Sequence, residues 1–200
     1  SLFATKIITS GEGGIITTNN LEFAEKCRIL RNHGCVRNEG LYNGIDYGVT
    51  CTYASSNYRM SEMSAVVGLS QVNRIDEFIS KRNALADRYK QKITNKKIKL
   101  QHVHENTVMS WWQYIIVIES INTADERAEL CNRLLQEFQI PTANAYWPAC
   151  HEQPAFIDYL SPYGYEQSNS LLKRHIALPM YVEMSFDQVD YICNILNKII

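Results

Sequence analysis

Ser1-Leu2-Phe3-Ala4-Thr5-Lys6-Ile7-Ile8-Thr9-Ser10-Gly11-Glu12-Gly13-Gly14-Ile15-Ile16-Thr17-Thr18 opens the chain, and its reading decides the fold. Lys6 stands beside Thr5 and the apolar pair Ile7-Ile8, with no acidic residue within five positions. Partial desolvation of such a lysine favours the neutral amine over the ammonium. A neutral amine is what Schiff-base chemistry with an aldehyde cofactor requires. The plainer alternative is a lysine whose stem lies on apolar surface while its head reaches water. Gly11 to Gly14 reads as a turn, and Ile15 to Thr18 as a short β-branched strand. The glycines lack the Gly-Lys-Ser/Thr ending of a phosphate-cradling P-loop.

Outward from this stretch, Asn19-Asn20 ends the strand and caps a helix, with Asn19 and Glu22 at capping-box spacing. Phe23, Cys27 and Leu30 form that helix's apolar stripe, and Gly34 is placed to end it. Residues 35–56 show no period and hold Gly40, Gly44, Gly48, Tyr42, Tyr47 and Tyr53, with Tyr58 just beyond. A surface excursion and a functional loop both fit such a segment. Ser61 caps a predicted single helix running to about Ile93, with Val66, Val67, Leu69, Val72, Ile75, Phe78 and Ile79 on a broad apolar face. Its length suits a connection between two domains.

Two strand-like runs follow within residues 98–119, the better being Gln113 to Glu119. Thr123 and Glu126 start a helix marked by Leu130, Leu134, Leu135 and Phe138, with Pro141 past its end. A loop rich in Pro and aromatic residues comes next, through Tyr146, Trp147, Pro148, Pro154 and Phe156. Ser185 with Gln188 caps a last helix that turns Val189, Ile192, Cys193 and Leu196 inward. The alternation is that of a mixed α/β chain.

Composition narrows the classes. A net charge of -1 gives no electrostatic footprint for nucleic acid. No apolar run approaches the ~20 residues of a membrane span, and no signal peptide is visible. The six cysteines include no Cys-x-x-Cys pair and read as reduced thiols of a cytosolic protein. His102-x-His104 has no Cys or carboxylate cluster beside it and reads as an exposed pair, so no metal is expected.

The order Ser1-x-x-x-x-Lys6, then Gly11-Glu12-Gly13-Gly14, then a β-run, resembles the lysine segment of the DegT/StrS-type sugar aminotransferase family. The likeness continues through Arg31-Asn32-His33-Gly34 and the box Asn57-Tyr58-Arg59-Met60-Ser61-Glu62. It extends through the helix from Ala65 to Arg88, the segment Pro148 to Pro154 around His151-x-Gln153, and Leu178-Pro179-Met180-Tyr181. It covers nearly the whole chain.

The resemblance implies the C-terminal half of a fold-type I pyridoxal-phosphate enzyme. Residues 1–75 would be the end of the large cofactor domain, and residues 76–200 the small C-terminal domain. Lys6 would hold pyridoxal phosphate as a Schiff base and later shuttle a proton. Ser1 would bond the cofactor phosphate, and Asn57 would reach the phosphate of a neighbouring subunit, making a homodimer with shared sites. Trp147 and His151 would lie near the mouth of the sugar site. The reaction implied is transfer of an amino group, from glutamate or another amino acid, to a nucleotide-linked keto-sugar. Family members are almost twice this length, and the carboxylate that pairs with the cofactor ring nitrogen belongs to the part preceding Lys6. The chain is therefore expected to be inactive alone. A non-catalytic half that supplies dimer surface is the alternative, and a related sugar dehydratase is a third reading, which the retained Lys6 disfavours. Ala149-Cys150 and Tyr146-Trp147 depart from the family's usual Pro-Leu and His-Tyr, so the sugar's identity is not carried over.

Overall fold

The computed structural model describes residues 1–37 and 48–200, in two compact units, Ser1–Ile75 and Asp76–Ile200. Gly40, Gly44, Tyr42 and Tyr47 lie outside the described residues.

In the first unit, helix α1 spans Leu21–Arg31. Its cap is Asn20, not Asn19: the Asn20 side chain accepts the Phe23 N–H at 2.9 Å. Gly34 ends it in the left-handed region (φ 70°), donating its N–H to Ile29 O at 3.0 Å. A Cβ at Gly34 would lie 1.9 Å from the Tyr53 carbonyl oxygen, so only glycine fits. The short strands β1 (Cys35–Arg37) and β2 (Val49–Cys51) then pair antiparallel, with Cys35 opposite Cys51.

These two cysteines form a disulfide, which corrects the expectation of six reduced thiols. The register explains it: the Cα atoms stand 4.0 Å apart across the ladder, a pairing no sequence period reveals. Cys27, Cys131, Cys150 and Cys193 are free. The strand expected at Ile15–Thr18 is also absent. It finds no ladder partner among the described residues, and Ile15 and Ile16 are exposed.

The long helix expected from Ser61 to Ile93 is instead two, α2 (Glu62–Val72) and α3 (Ile75–Lys92). Ser61 does cap α2, accepting the Ser64 N–H at 3.1 Å. The helix breaks because Arg74 N–H bonds Gln71 O, a tighter i→i−3 turn, at Asn73, a residue of modest helix propensity. The apolar face expected on α2 is open: Val66, Val67, Leu69 and Val72 are exposed, and only Gly68 is buried.

The second unit is built on a three-stranded antiparallel sheet in the order β3 (Ile98–Leu100), β4 (Tyr114–Ile118), β5 (His175–Leu178). Tyr114, Ile116 and Ile118 of β4 are buried, and the register sets Ile116 against Ile176. Their core includes Leu85 and Tyr89 of α3, Leu134 of α4 (Ala124–Phe138), and Val189, Ile192 and Leu196 of α6 (Phe186–Ile199). Ser185 and Gln188 close a reciprocal capping box on α6, at 3.3 and 2.9 Å. On α4, Thr123 accepts the Glu126 N–H, but the Glu126 carboxylate turns to Asn122 N–H, and Leu135 is exposed rather than packed. Helix α5 (Glu166–Arg174) and strand β5 were not expected; all four β5 residues are buried, so no alternation marks it.

Arg82 lies on the buried stripe of α3 and donates through Nη1 to Trp111 O at 2.8 Å and Met180 O at 3.1 Å. The methionine variant Arg82→Met keeps the apolar stem but strands those carbonyls, and is expected to lose about 1–3 kcal/mol of stability. Equilibrium urea unfolding checks this; an unchanged midpoint would contradict the anchoring role.

Candidate active site

Lys6 is carried by a loop whose base is closed by its own backbone. Leu2 N–H donates to Gly13 O at 2.8 Å, and Ser10 N–H donates to Leu2 O at 3.0 Å. The Thr9 hydroxyl donates to Leu2 O at 3.0 Å, and Gly11 N–H donates to Thr9 Oγ1 at 2.9 Å. Leu2 and Ser10 are buried, seated against Gly68 of α2, where an added Cβ would stand 3.5 Å from Ser10 Cβ. At Gly13 (φ 141°) a Cβ would meet Met60 Cε at 2.7 Å. Gly13 therefore lets Met60 approach the loop closely, while the hydrogen bonds of Leu2 close the loop's base. Lys6 sits in a turn away from that base, half-buried, its N–H donated to Phe3 O at 3.0 Å.

Ser1 is exposed at the start of the loop; its hydroxyl oxygen accepts Phe3 N–H at 3.4 Å. Asn57 is three residues before Met60, which packs on Gly13. Asn57 lies bridged to Asn32 past the end of α1, with Tyr58 N–H donated to Arg31 O at 2.9 Å. Its Oδ1 accepts Arg59 N–H at 3.1 Å, so its NH2 group is what it offers outward. Arg59 in turn bonds the Asn32 side chain. The loop thus supplies an amine and a hydroxyl, and Asn57 an amide donor, which suits an aldehyde that bears a phosphate. Glu12, Glu22, Glu25 and Glu62, the described carboxylates of this unit, are all exposed and offer no buried partner for a cofactor ring nitrogen.

Trp147 and His151 belong to the second unit. The Arg127 guanidinium lies 4.5 Å from the Trp147 ring centroid. Arg127 is buried, bonds Leu172 O, and keeps an Nε with no partner; burial holds its pKa below the ordinary arginine value. His175 is also buried. Its Nδ1 donates to Leu172 O and its Nε2 accepts Ala145 N–H, both at 2.8 Å, which fixes a neutral ring behind the Trp147 loop. Burial pushes its pKa below the ordinary histidine value, and the nearby Arg127 charge acts the same way. His151 stacks on Tyr165 with ring centroids 3.9 Å apart, and its Nε2 is 2.6 Å from Asn169 Oδ1.

Arg127, His175, Tyr165 and Asn169 were not anticipated from the sequence. Arg127 did leave a signal: it falls on the helical stripe with Cys131, Leu134 and Phe138, where a charge is out of place. His102 and His104 pack edge to face at 5.0 Å, and among the described residues no three His, Cys, Asp or Glu gather as metal ligands. Among the same residues, no helix is long and apolar enough to cross a membrane.

The α/β units, the clamped lysine loop and the aromatic loop define half of a pyridoxal-phosphate-type aminotransferase fold. The chain belongs to the DegT/DnrJ/EryC1/StrS aminotransferase family, whose model matches residues 1–197. It is 32% identical over 199 residues to GDP-perosamine synthase of Escherichia coli O157:H7, covering 99% of this chain and 50% of that one. It is 30% identical over 213 residues to the spore coat polysaccharide biosynthesis protein SpsC of Bacillus subtilis, covering 100% of this chain and 52% of that one. The chain thus spans about half the length of the curated relatives it matches. In fold it is similar to Helicobacter pylori PseC, an aminotransferase of pseudoaminic acid biosynthesis (TM-score 0.83, 21% identity, 97% of this chain and 50% of that one). It is also similar to Spr1654 of Streptococcus pneumoniae in its PLP form (TM-score 0.81, 20% identity, 98% and 50%).

The His175 geometry predicts a pH effect. Below about pH 6.5 the unfolded chain binds a proton that the folded His175 refuses. Its stabilising share is complete above that pH and is lost as pH falls. Urea unfolding between about pH 7 and 5 should show a shallower decline in His175→Gln, by up to about 1.4 kcal/mol per pH unit. Equal slopes in the two proteins would contradict a buried neutral ring.

Proposed function

We propose that the complete gene product transfers an amino group from an amino acid, glutamate foremost, to a nucleotide-linked keto-sugar, with pyridoxal phosphate as cofactor. The observation that carries this is the clamped loop presenting Lys6, in a chain that matches an aminotransferase family model along almost all of its length. The names of the relatives, GDP-perosamine synthase among them, support a nucleotide-sugar substrate.

The cofactor supplies the electron sink that makes the carbon bearing nitrogen acidic. Lys6 Nζ would tether it and, when released, would carry the proton that the sugar carbon gains as it takes up nitrogen. The bonds across the loop's base reduce the ordering that Lys6 still requires during reaction. The Ser1 hydroxyl donates to the phosphate. The Asn57 NH2 donates to the phosphate held by a second subunit, which makes the working form a homodimer with shared sites. Trp147 and His151 face the sugar. In this reading residues 1–75 end the large cofactor domain and residues 76–200 form the small domain. The open faces of α2 and Ile15-Ile16 are then covered by the rest of the assembly. The protein works in the cytoplasm, and the 200-residue chain alone does not turn over. Because Lys6 is retained, amino transfer is favoured over dehydration of the sugar.

An absorbance scan of the complete gene product with pyridoxal phosphate should show a band near ~410–430 nm that glutamate shifts and that Lys6→Ala removes. A band indifferent to Lys6→Ala would contradict the assignment.

A further inference from the structure

His151 is held from two sides by one short helix. Tyr165 caps α5 and Asn169 follows one turn later, its N–H donated to Tyr165 O at 2.9 Å. Both side chains meet the His151 ring. The Tyr165 hydroxyl accepts Ser161 N–H at 2.7 Å, which pins the ring at its far end. Its face then lies parallel to the imidazole, 6° from coplanar and 3.9 Å away. Asn169 Oδ1, 2.6 Å from His151 Nε2, has lone pairs only, so the hydrogen of that bond belongs to Nε2. In a neutral ring Nδ1 is then the bare acceptor, and among the described residues nothing bonds it. His175 has the opposite arrangement, with its hydrogen on Nδ1.

We infer that Asn169 and Tyr165 are positioning residues that fix the tautomer and plane of His151, so that its Nδ1 accepts a hydrogen bond from a hydroxyl of the sugar. The inference rests on the reading of His151 as sugar-facing. Tyr165 sets the ring plane and Asn169 the proton. Without Asn169 the ring divides between tautomers, and the Nδ1–H form cannot accept the hydroxyl hydrogen.

The test uses the complete gene product labelled with 15N-histidine at about pH 8, where free imidazole is neutral. Long-range proton–nitrogen spectra, with His151→Gln and His175→Gln for assignment, should place the hydrogen of His151 on Nε2 and that of His175 on Nδ1. Asn169→Leu should give a tautomer mixture at His151, and Asn169→Asp, which keeps an acceptor, should restore Nε2–H. A His151 hydrogen on Nδ1, or a tautomer unchanged in Asn169→Leu, overturns the inference.

Steady-state kinetics with GDP-perosamine and 2-oxoglutarate separate this from the reading beneath it. Asn169→Leu and His151→Ala should each raise the sugar KM about tenfold with kcat little changed, the loss of one hydrogen bond. The double variant should be no worse than His151→Ala. A raised KM in His151→Ala with a normal one in Asn169→Leu sinks the positioning role alone. A normal KM in His151→Ala sinks the sugar-facing reading instead.

Discussion

Everything proposed for this chain depends on the closure of the loop from Leu2 to Gly13. A lysine amine becomes a useful nucleophile only if it is held, and a loop of this length is costly to order without bonds across its base. Leu2 supplies both halves of that closure, donating to Gly13 and accepting from Ser10. Gly13 makes room for it beneath Met60. A side chain at Gly13 would force Met60 aside and strain the backbone, whereas one at Gly68 would make ordinary contact with Ser10. The motif Gly11 to Gly14 therefore acts at a distance from the chemistry, by setting where Lys6 stands.

The second unit solves a comparable problem by different means. Its loops are held by buried cationic and imidazole groups whose partners are backbone carbonyls and amides. Arg82 binds carbonyls near the ends of two strands, Arg127 binds Leu172 O beneath Trp147, and His175 bridges Leu172 and Ala145. Desolvation lowers the pKa of each of the three, the cost of using polar anchors in a core. The return is direction: a hydrogen bond fixes a loop's orientation in a way that apolar packing does not.

Local features were the legible ones. The Ser185–Gln188 box, the inward residues of α6 and the cap at Ser61 follow from contacts within one turn of helix, and the sequence displays them directly. The family was legible because the spacing of the Lys6 segment is unusual. What the sequence hid was set by partners far along the chain. The break at Asn73 depends on a single turn hydrogen bond inside an otherwise helical pattern. Ile15–Thr18 has strand composition, but a strand needs a neighbour to bond. Strand β5 is buried throughout and so carries no alternation. Cys35 meets Cys51 only because of a register that no periodicity encodes. Asn169 reaches His151 across 18 residues, beyond the range of any local pattern.

The most direct test of the account is chemical capture at Lys6. The complete gene product, loaded with pyridoxal phosphate and reduced with borohydride, would be digested and its peptides weighed. The account predicts a phosphopyridoxyl mass on the peptide containing Lys6 and its absence when Lys6 is alanine. The same mass on a different lysine, or on none, would contradict it.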